Sequence, residues 1–457
     1  MIDRLELFVE HLLAHSDPRS VPASAHVAAM TWIADSVGVA LAGTSVAQST
    51  QLLAAARQWG RANDARIWAT SERLPAASAA LVNAFHLHSQ EFDCVHEKAV
   101  VHPMAVILPS LFAYAEKHGN ISGPQLTAAL ALAVDVAAVV GMSATQKLRF
   151  FRPAMCGALG ATAGLAVLEG LDAAQIRNAF GLVYSQLSGT MQAHIEGTPT
   201  LALQVGFAAR AATCAVDLAM QGFAAPHQIF DGTHGYFTLY EPNAAPDVAF
   251  AELGKVWQIE RISHKPFPTG RAAQGGIAGL RALMKTHHFS LDEVEQIVVV
   301  APPLVLQLVD RPMQPNMSVN YARLCMPFLL ATTLTYGNVD LGSYRSDRLN
   351  DATLAALAQR ITLRSSGSTD VNALRPQSIE LTLAGGRHLA LDMPYVYGAP
   401  EAPMSLAEQR VKFFHCCAFA RSPLSTEAAT MLWTRIGDIA NMSDVAALIS
   451  MTTPSPA

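Results

Sequence analysis

The chain has 457 residues, room for two compact domains at the usual ~150 residues each. Its 36 acidic residues outnumber its 31 lysines and arginines, a net charge of −5, which leaves no basic excess for a phosphate backbone and argues against a nucleic-acid partner. Apolar residues make up 51% and charged residues only 15%, against roughly 25% charged in an average globular protein; so little charge predicts a subunit interface, most simply that of a homodimer, which sedimentation tests directly.

The opening stretch MIDRLELFVEHLLAHSDP sets Asp3, Arg4 and Glu6 among its apolar residues, so it predicts an amphipathic helix rather than a secretory signal, and a cytoplasmic chain. Up to about residue 260, Ala- and Leu-rich periodic segments predict helix after helix, broken at His118-Gly119-Asn120, Glu169-Gly170 and Gln221-Gly222. Ser122 with Gln125, and Asp172 ahead of AAQIRNAFGLVYSQL, are candidate N-caps. The longest apolar run, Leu126 to Met142, has Asp135 at its centre, which favours a buried helix over a membrane span. No fixed-period repeat is visible.

The pattern changes after residue 262. EVEQIVVVAPP predicts a strand, and SIELTLAGGRHLALDM a hairpin, with Ile379, Leu381 and Leu383, then Leu389, Leu391 and Met393, alternating around Gly385-Gly386. RALMKTHH and DATLAALAQRI predict helices between strands. The expected fold is mainly α: a large all-helical domain from residues 1–262 with 402–457, whose C-terminal helices pack back on it, and a smaller α+β domain over residues 263–401. The final TTPSPA reads as disordered. Six cysteines without CxxC spacing predict reduced thiols, not a disulfide framework, a metal cluster or a zinc knuckle.

Ionisable residues crowd into HSQEFDCVHEKAVVHP, residues 88–103, which holds His88, Glu91, Asp93, His96, Glu97 and His102. A zinc site is not expected: His96 and His102 are six apart, roughly 120° out of phase on a helix, and Pro103 disfavours helix at His102. An acid/base site fits better, with Asp93, His96 and Glu97 sharing a helical face and His102 in the turn before the next helix. The alternative is a surface turn that its charges merely solvate.

Three other places carry candidate residues. The small and polar SGT and EGTPT around His194 and Glu196 offer backbone amides to a carboxylate, or are ordinary turns, with Arg210 on a nearby helix surface. HKPFPTGRAAQGG, residues 264–276, combines Pro-fixed backbone with Lys265 and Arg271: a cationic anion-binding corner or a rigid hinge. Arg323 and Cys325 in NYARLCMPF, and Arg152 in FFRPAMCGALG, lie in apolar surroundings, where an arginine needs an anionic partner or ligand and a thiol is by default inert. No GxGxxG or GxxxxGK[ST] loop is present, so no nucleotide is expected.

Taken in order, ADSVGVALAG (34–43), HSQEFDCVH with HPMAVILPSLFAYAE, FRPAMCGALGATAGLAVLEGLD, the SGTMQ stretch with GFAARAA, HKPFPTGR and the late APEAPMS with KFF resemble the MmgE/PrpD family, which includes 2-methylcitrate dehydratases, cis-aconitate decarboxylases and iminodisuccinate epimerases. The resemblance covers nearly the whole chain. It implies a helical domain with a smaller α+β lid, homodimers, and chemistry on small di- and tricarboxylates without metal or organic cofactor. It matches Asp93 to the family's acidic residue, His102 to the histidine of its HP motif and Lys265 to the lysine of its KPYP-type segment. Departures are Arg152 and Gln274 where members have histidines, Leu201 in place of a lysine and Phe328 in place of an aromatic hydroxyl.

The expectation is therefore a cofactor-independent lyase, dehydratase-like, acting on a small di- or tricarboxylate at a carbon next to a carboxylate. His102 with Asp93 exchanges the proton; Lys265, Arg271, Arg152 and Arg323 hold carboxylates; His96, Glu97 and His194 stand in for the missing groups, and Gln274 is counted among the substrate-binding residues. An epimerase, a decarboxylase or a non-catalytic carboxylate-binding homologue are the alternatives, and a hydrolase using Cys325 or a metal at His96 and His102 is a further one.

Overall fold

In the computed structural model, residues 3–453 are described. The chain divides into two compact units, the first from Met1–Met191, Ala202–Ile262 and Ser405–Ala457, the second from Gln192–Leu201 and Ser263–Met404.

The first unit is built almost wholly of helices. Arg4–Ala14 buries Leu5, Phe8, Val9 and Leu12, the i, i+3, i+4, i+7 stripe of an amphipathic helix, and Phe8 packs 4.8 Å from Phe250 and 5.5 Å from Phe230, centroid to centroid. Both expected N-caps form, Ser122 in its capping box with Gln125 and Asp172 in one with Gln175 that the sequence reading did not name, and helices end at His118, Glu169 and Met220, at the breaks seen in the sequence. The helices pack closely because small residues face one another. A Cβ on Gly160 of Arg152–Glu169 would lie 2.5 Å from the Ala133 carbonyl in Gly123–Met142, and one on Gly43 would overlap the His86 carbonyl. Ala23–Gly43 thereby lies against Ala76–His88, the helix that ends at the ionisable cluster.

Three helices, Ala23–Gly43, Gly123–Met142 and Thr200–Met220, are long and apolar enough to cross a bilayer, but between 67% and 89% of their most apolar windows is buried inside the protein. Asp135 is buried within the second of these, accepting from the Gln258 amide at 2.8 Å, with His11 Nε2 3.2 Å from its other oxygen.

Two details differ from the all-helical expectation. Ala65–Arg66 and Arg73–Leu74 pair as a two-residue antiparallel ladder, because Ala69 at φ 65° turns the chain back on itself. The C-terminal stretch expected to be disordered is ordered through Thr453: Thr452 is buried and bonded to the Ile449 carbonyl, and Thr453 Oγ1 donates to the Thr70 carbonyl at 2.8 Å. The remaining four residues of that stretch, like Met1 and Ile2 at the start, lie outside the described residues.

The second unit holds a four-stranded sheet ordered Ile361–Ser365, Val294–Ala301, Gln377–Leu383, Arg387–Met393, parallel in its first pair and antiparallel in the other two. The hairpin runs as expected, with Ile379 opposite Leu391 and Leu381 opposite Leu389. Ile379, Leu381 and Leu383 are buried, while on the edge strand only Met393 is fully covered. Arg271–Thr286 packs on this hairpin and against Met326–Tyr336.

Candidate active site

Ala76–His88 delivers His88 at its last turn, and Pro103 opens the helix Pro103–His118 with His102 at its N-cap. Between them the chain is not helical, so the face expected to join Asp93, His96 and Glu97 does not exist. Pro103 keeps His102 out of the helical region (φ −101°, ψ 76°), and upstream His96 pairs with Val101 in an antiparallel bridge across a turn with Val100 at φ 53°.

This irregular segment brings His88, Asp93 and His102 together. His88 Nδ1 lies 2.9 Å from Asp93 Oδ2 and His102 Nδ1 3.0 Å from the same oxygen, and the two imidazoles meet edge to face at 4.9 Å. An ionised carboxylate accepts only, so both rings donate through Nδ1–H, and His102 is left with Nε2 as its basic nitrogen. Asp93 and His88 are buried, while His102 keeps 14% of its side chain exposed. Glu91 Oε1 stands 3.7 Å from His88 Nε2. The three side chains also form a group able to offer ligands to a metal, their candidate atoms lying within 4.8 Å of one another, and this group differs from the His96 and His102 pair weighed in the sequence.

His96 belongs to the packing of this unit. Its Nδ1 accepts from the Ala99 amide at 3.1 Å and its Nε2 donates to Gln258 Oε1 at 3.0 Å, and burial pulls its pKa down to about 4 despite the glutamine. Glu97 is half-buried in the turn, where its carbonyl accepts from the Val100 amide.

Arg152 is buried, with Nε donating to Glu241 Oε1 at 2.7 Å and Nη2 to the Gln146 carbonyl at 2.9 Å. Glu241, which nothing in the sequence linked to Arg152, neutralises the charge expected for a substrate.

In the second unit Lys265 is fully buried. The residues expected beside it as ligand groups shape the backbone instead. Arg271 donates to the carbonyls of His264, Val396 and Tyr397 at 2.7–3.0 Å, and Gln274 accepts from the Phe267 amide and donates to the carbonyls of Phe267 and Thr269. Arg323 is buried with its guanidinium 5.1 Å from the Tyr344 ring centroid. His194 is held by Arg311, whose Nη1 donates to the His194 carbonyl and Nη2 to its Nδ1, both at 3.1 Å. Cys325 donates to the Arg311 carbonyl, and burial pushes its thiol up to about 12, unsuited to a nucleophile. Leu201 and Phe328 are buried.

His88, Glu241 and Arg311 are the partners that the sequence did not single out. For His88 a signal existed, since it heads the ionisable cluster, but a contact from a helix end to a loop five residues on has no periodicity to reveal it.

The geometry can be set beside known proteins. The MmgE/PrpD N-terminal domain model matches residues 10–249 and the MmgE/PrpD C-terminal domain model residues 267–431. A cis-aconitate decarboxylase of Mus musculus is 26% identical over 435 residues, 91% of this chain and 86% of the mouse protein. The Homo sapiens cis-aconitate decarboxylase is 25% identical over 454 residues, 93% and 89%. A cis-aconitate decarboxylase-like protein of Aspergillus oryzae is 25% identical over 376 residues, 77% and 78%. With both family domains matched in order along a mainly helical chain, the protein belongs to the MmgE/PrpD family.

Proposed function

We propose that the protein is a cofactor-independent lyase acting on a small di- or tricarboxylate through proton transfer at a carbon next to a carboxylate. The observation that carries the reading is the Asp93 carboxylate accepting from two imidazoles, which fixes Nε2 as the basic nitrogen of His102, the most exposed side chain of the three. Removing a proton beside a carboxylate builds an enolate-like dianion, which needs cations in a water-poor setting. In an elimination, His102 Nε2 takes the carbon-bound proton and, as the C–O bond breaks, its Nε2–H passes that proton to the leaving oxygen, which departs as water; in a decarboxylation, the carbanion left by carbon dioxide takes a proton from His102 Nε2–H. A positive charge on that ring is balanced by Asp93. Such a positioned acid/base contributes roughly 10²–10⁴-fold.

The names of the relatives make an unsaturated tricarboxylate of the cis-aconitate kind the first compound to assay. Leu201, Gln274, Arg152 and Phe328 supply none of the proton carriers that the family resemblance leads one to expect there, which points to a shifted substrate. The test is proton NMR in D₂O on hydroxylated and unsaturated di- and tricarboxylates, which reads elimination, decarboxylation and epimerisation together. We expect product or exchange with at least one compound, lost in His102→Gln.

The same missing carriers favour one other reading, a carboxylate-binding homologue without turnover. A compound that raises the melting temperature but gives neither product nor deuterium uptake would establish that instead.

A further inference from the structure

The helix Leu406–Phe419 starts at a capping box between Ser405 and Glu408 and packs on Ala23–Gly43. Lys412, in its second turn, is buried. Its Nζ lies 2.7 Å from Asp35 Oδ1, donates to the Phe92 carbonyl at 2.9 Å and sits 4.1 Å from the centroid of the Phe92 ring. Asp35 Oδ2 has no hydrogen-bond partner among the described residues, so Lys412 is the group that answers this buried charge.

A salt bridge alone does not require the third contact. An ammonium has three donors, and one of them here reaches the peptide oxygen whose nitrogen belongs to Asp93. Orienting that peptide plane orients the Cα–Cβ bond of Asp93. The segment needs such a hold from outside: it has no helix, and Glu91 and Val100 sit at φ 50° and 53°, where side chains are strained unless surroundings enforce the conformation. A buried ion pair is weak evidence for stability as such, because an apolar pair of similar volume often serves a fold equally well.

We propose that Lys412, itself held by Asp35, is a positioning residue that clamps the Phe92–Asp93 peptide so that the Asp93 carboxylate meets His88 and His102. The inference rests on the acid/base reading of that triad. It makes the helix Leu406–Phe419 a working part of a site whose proton-handling groups come from residues 88–102.

The test replaces both charges, Asp35→Leu with Lys412→Met, so that no lone charge stays buried. Should that pair not fold, Asp35→Asn with Lys412→Gln gives a neutral pair of similar bulk and carries the same expectation. In ¹⁵N-histidine NMR, wild type should show Nδ1–H tautomers at His88 and His102. The folded double variant should lose or average those two signals while His86 and His96 keep theirs, and Lys412→Arg should restore them in part. With an active substrate, kcat should fall about 10–100-fold and KM change little, as for small misplacements of a catalytic group. A folded double variant with unchanged His88 and His102 signals overturns the proposal, as does a wild type in which His102 carries its proton on Nε2. Wild-type signals as expected, lost in the double variant, but no turnover on any carboxylate would sink the functional reading and leave the clamp standing.

Discussion

Asp93 binds two histidines through one oxygen, and the two rings differ in what a substitution should do. His102 is the more exposed ring and the one assigned to proton transfer, so His102→Gln removes the proton carrier itself and should cost roughly 10²–10⁴ in kcat. His88 is closed off from any reactant, so it acts by holding Asp93. His88→Leu should lower kcat by a smaller factor, about 10–100-fold, and also lower the melting temperature, because Asp93 Oδ2 loses a buried donor. Equal losses in the two variants would argue that both rings exchange protons with the substrate. Asp93 and His102 were legible because their residue types crowd into an otherwise apolar stretch. The ties of Arg152 to Glu241 and of His194 to Arg311 join residues 89 and 117 positions apart, which no local pattern encodes.

Helix starts, helix stops and the hairpin follow local rules, and the sequence carries them: caps at Ser122 and Asp172, and alternation from Ile379 to Met393. The segment from Ser89 to Val101 does not obey a local rule. Its composition permits a helix, and its conformation comes from contacts on several sides. Close helix packing is also set between elements. Gly160→Val would press a branched side chain on the Ala133 carbonyl, so urea unfolding should show a loss of roughly 3 kcal/mol or more with the m-value unchanged.

Acid should weaken the whole molecule through two histidines kept neutral in its interior. Burial pulls His96 down to about 4 and His86 to about 3, from an ordinary 6.5. Between those values the unfolded chain binds protons that the native protein does not. Their contribution is therefore complete above about pH 6.5 and is lost as the pH falls through the window towards 4 and 3. At pH 5 each should have cost about 2 kcal/mol relative to pH 7. Asp135 opposes the trend: burial holds its carboxyl above the usual range against the pull of His11, so its contribution favours the native state at low pH and fades as pH rises. Guanidinium unfolding at pH 7 and pH 5 should show a net fall of a few kcal/mol, and His96→Gln should shrink that difference by about 2 kcal/mol whatever it does to stability at pH 7.

The sequence by itself determined the mainly helical make-up, the strand-bearing region after residue 262 and the crowding of ionisable residues between 88 and 103, because propensity, capping and hydrophobic period act over a few residues. Only the tertiary structure decided which of those groups meet, that Arg152, Arg271, Gln274 and His96 are taken up by internal partners, and that Lys412 reaches back to the peptide before Asp93. A buried polar group must find a partner wherever the fold brings one, and that partner is set by packing across hundreds of residues rather than by spacing along the chain.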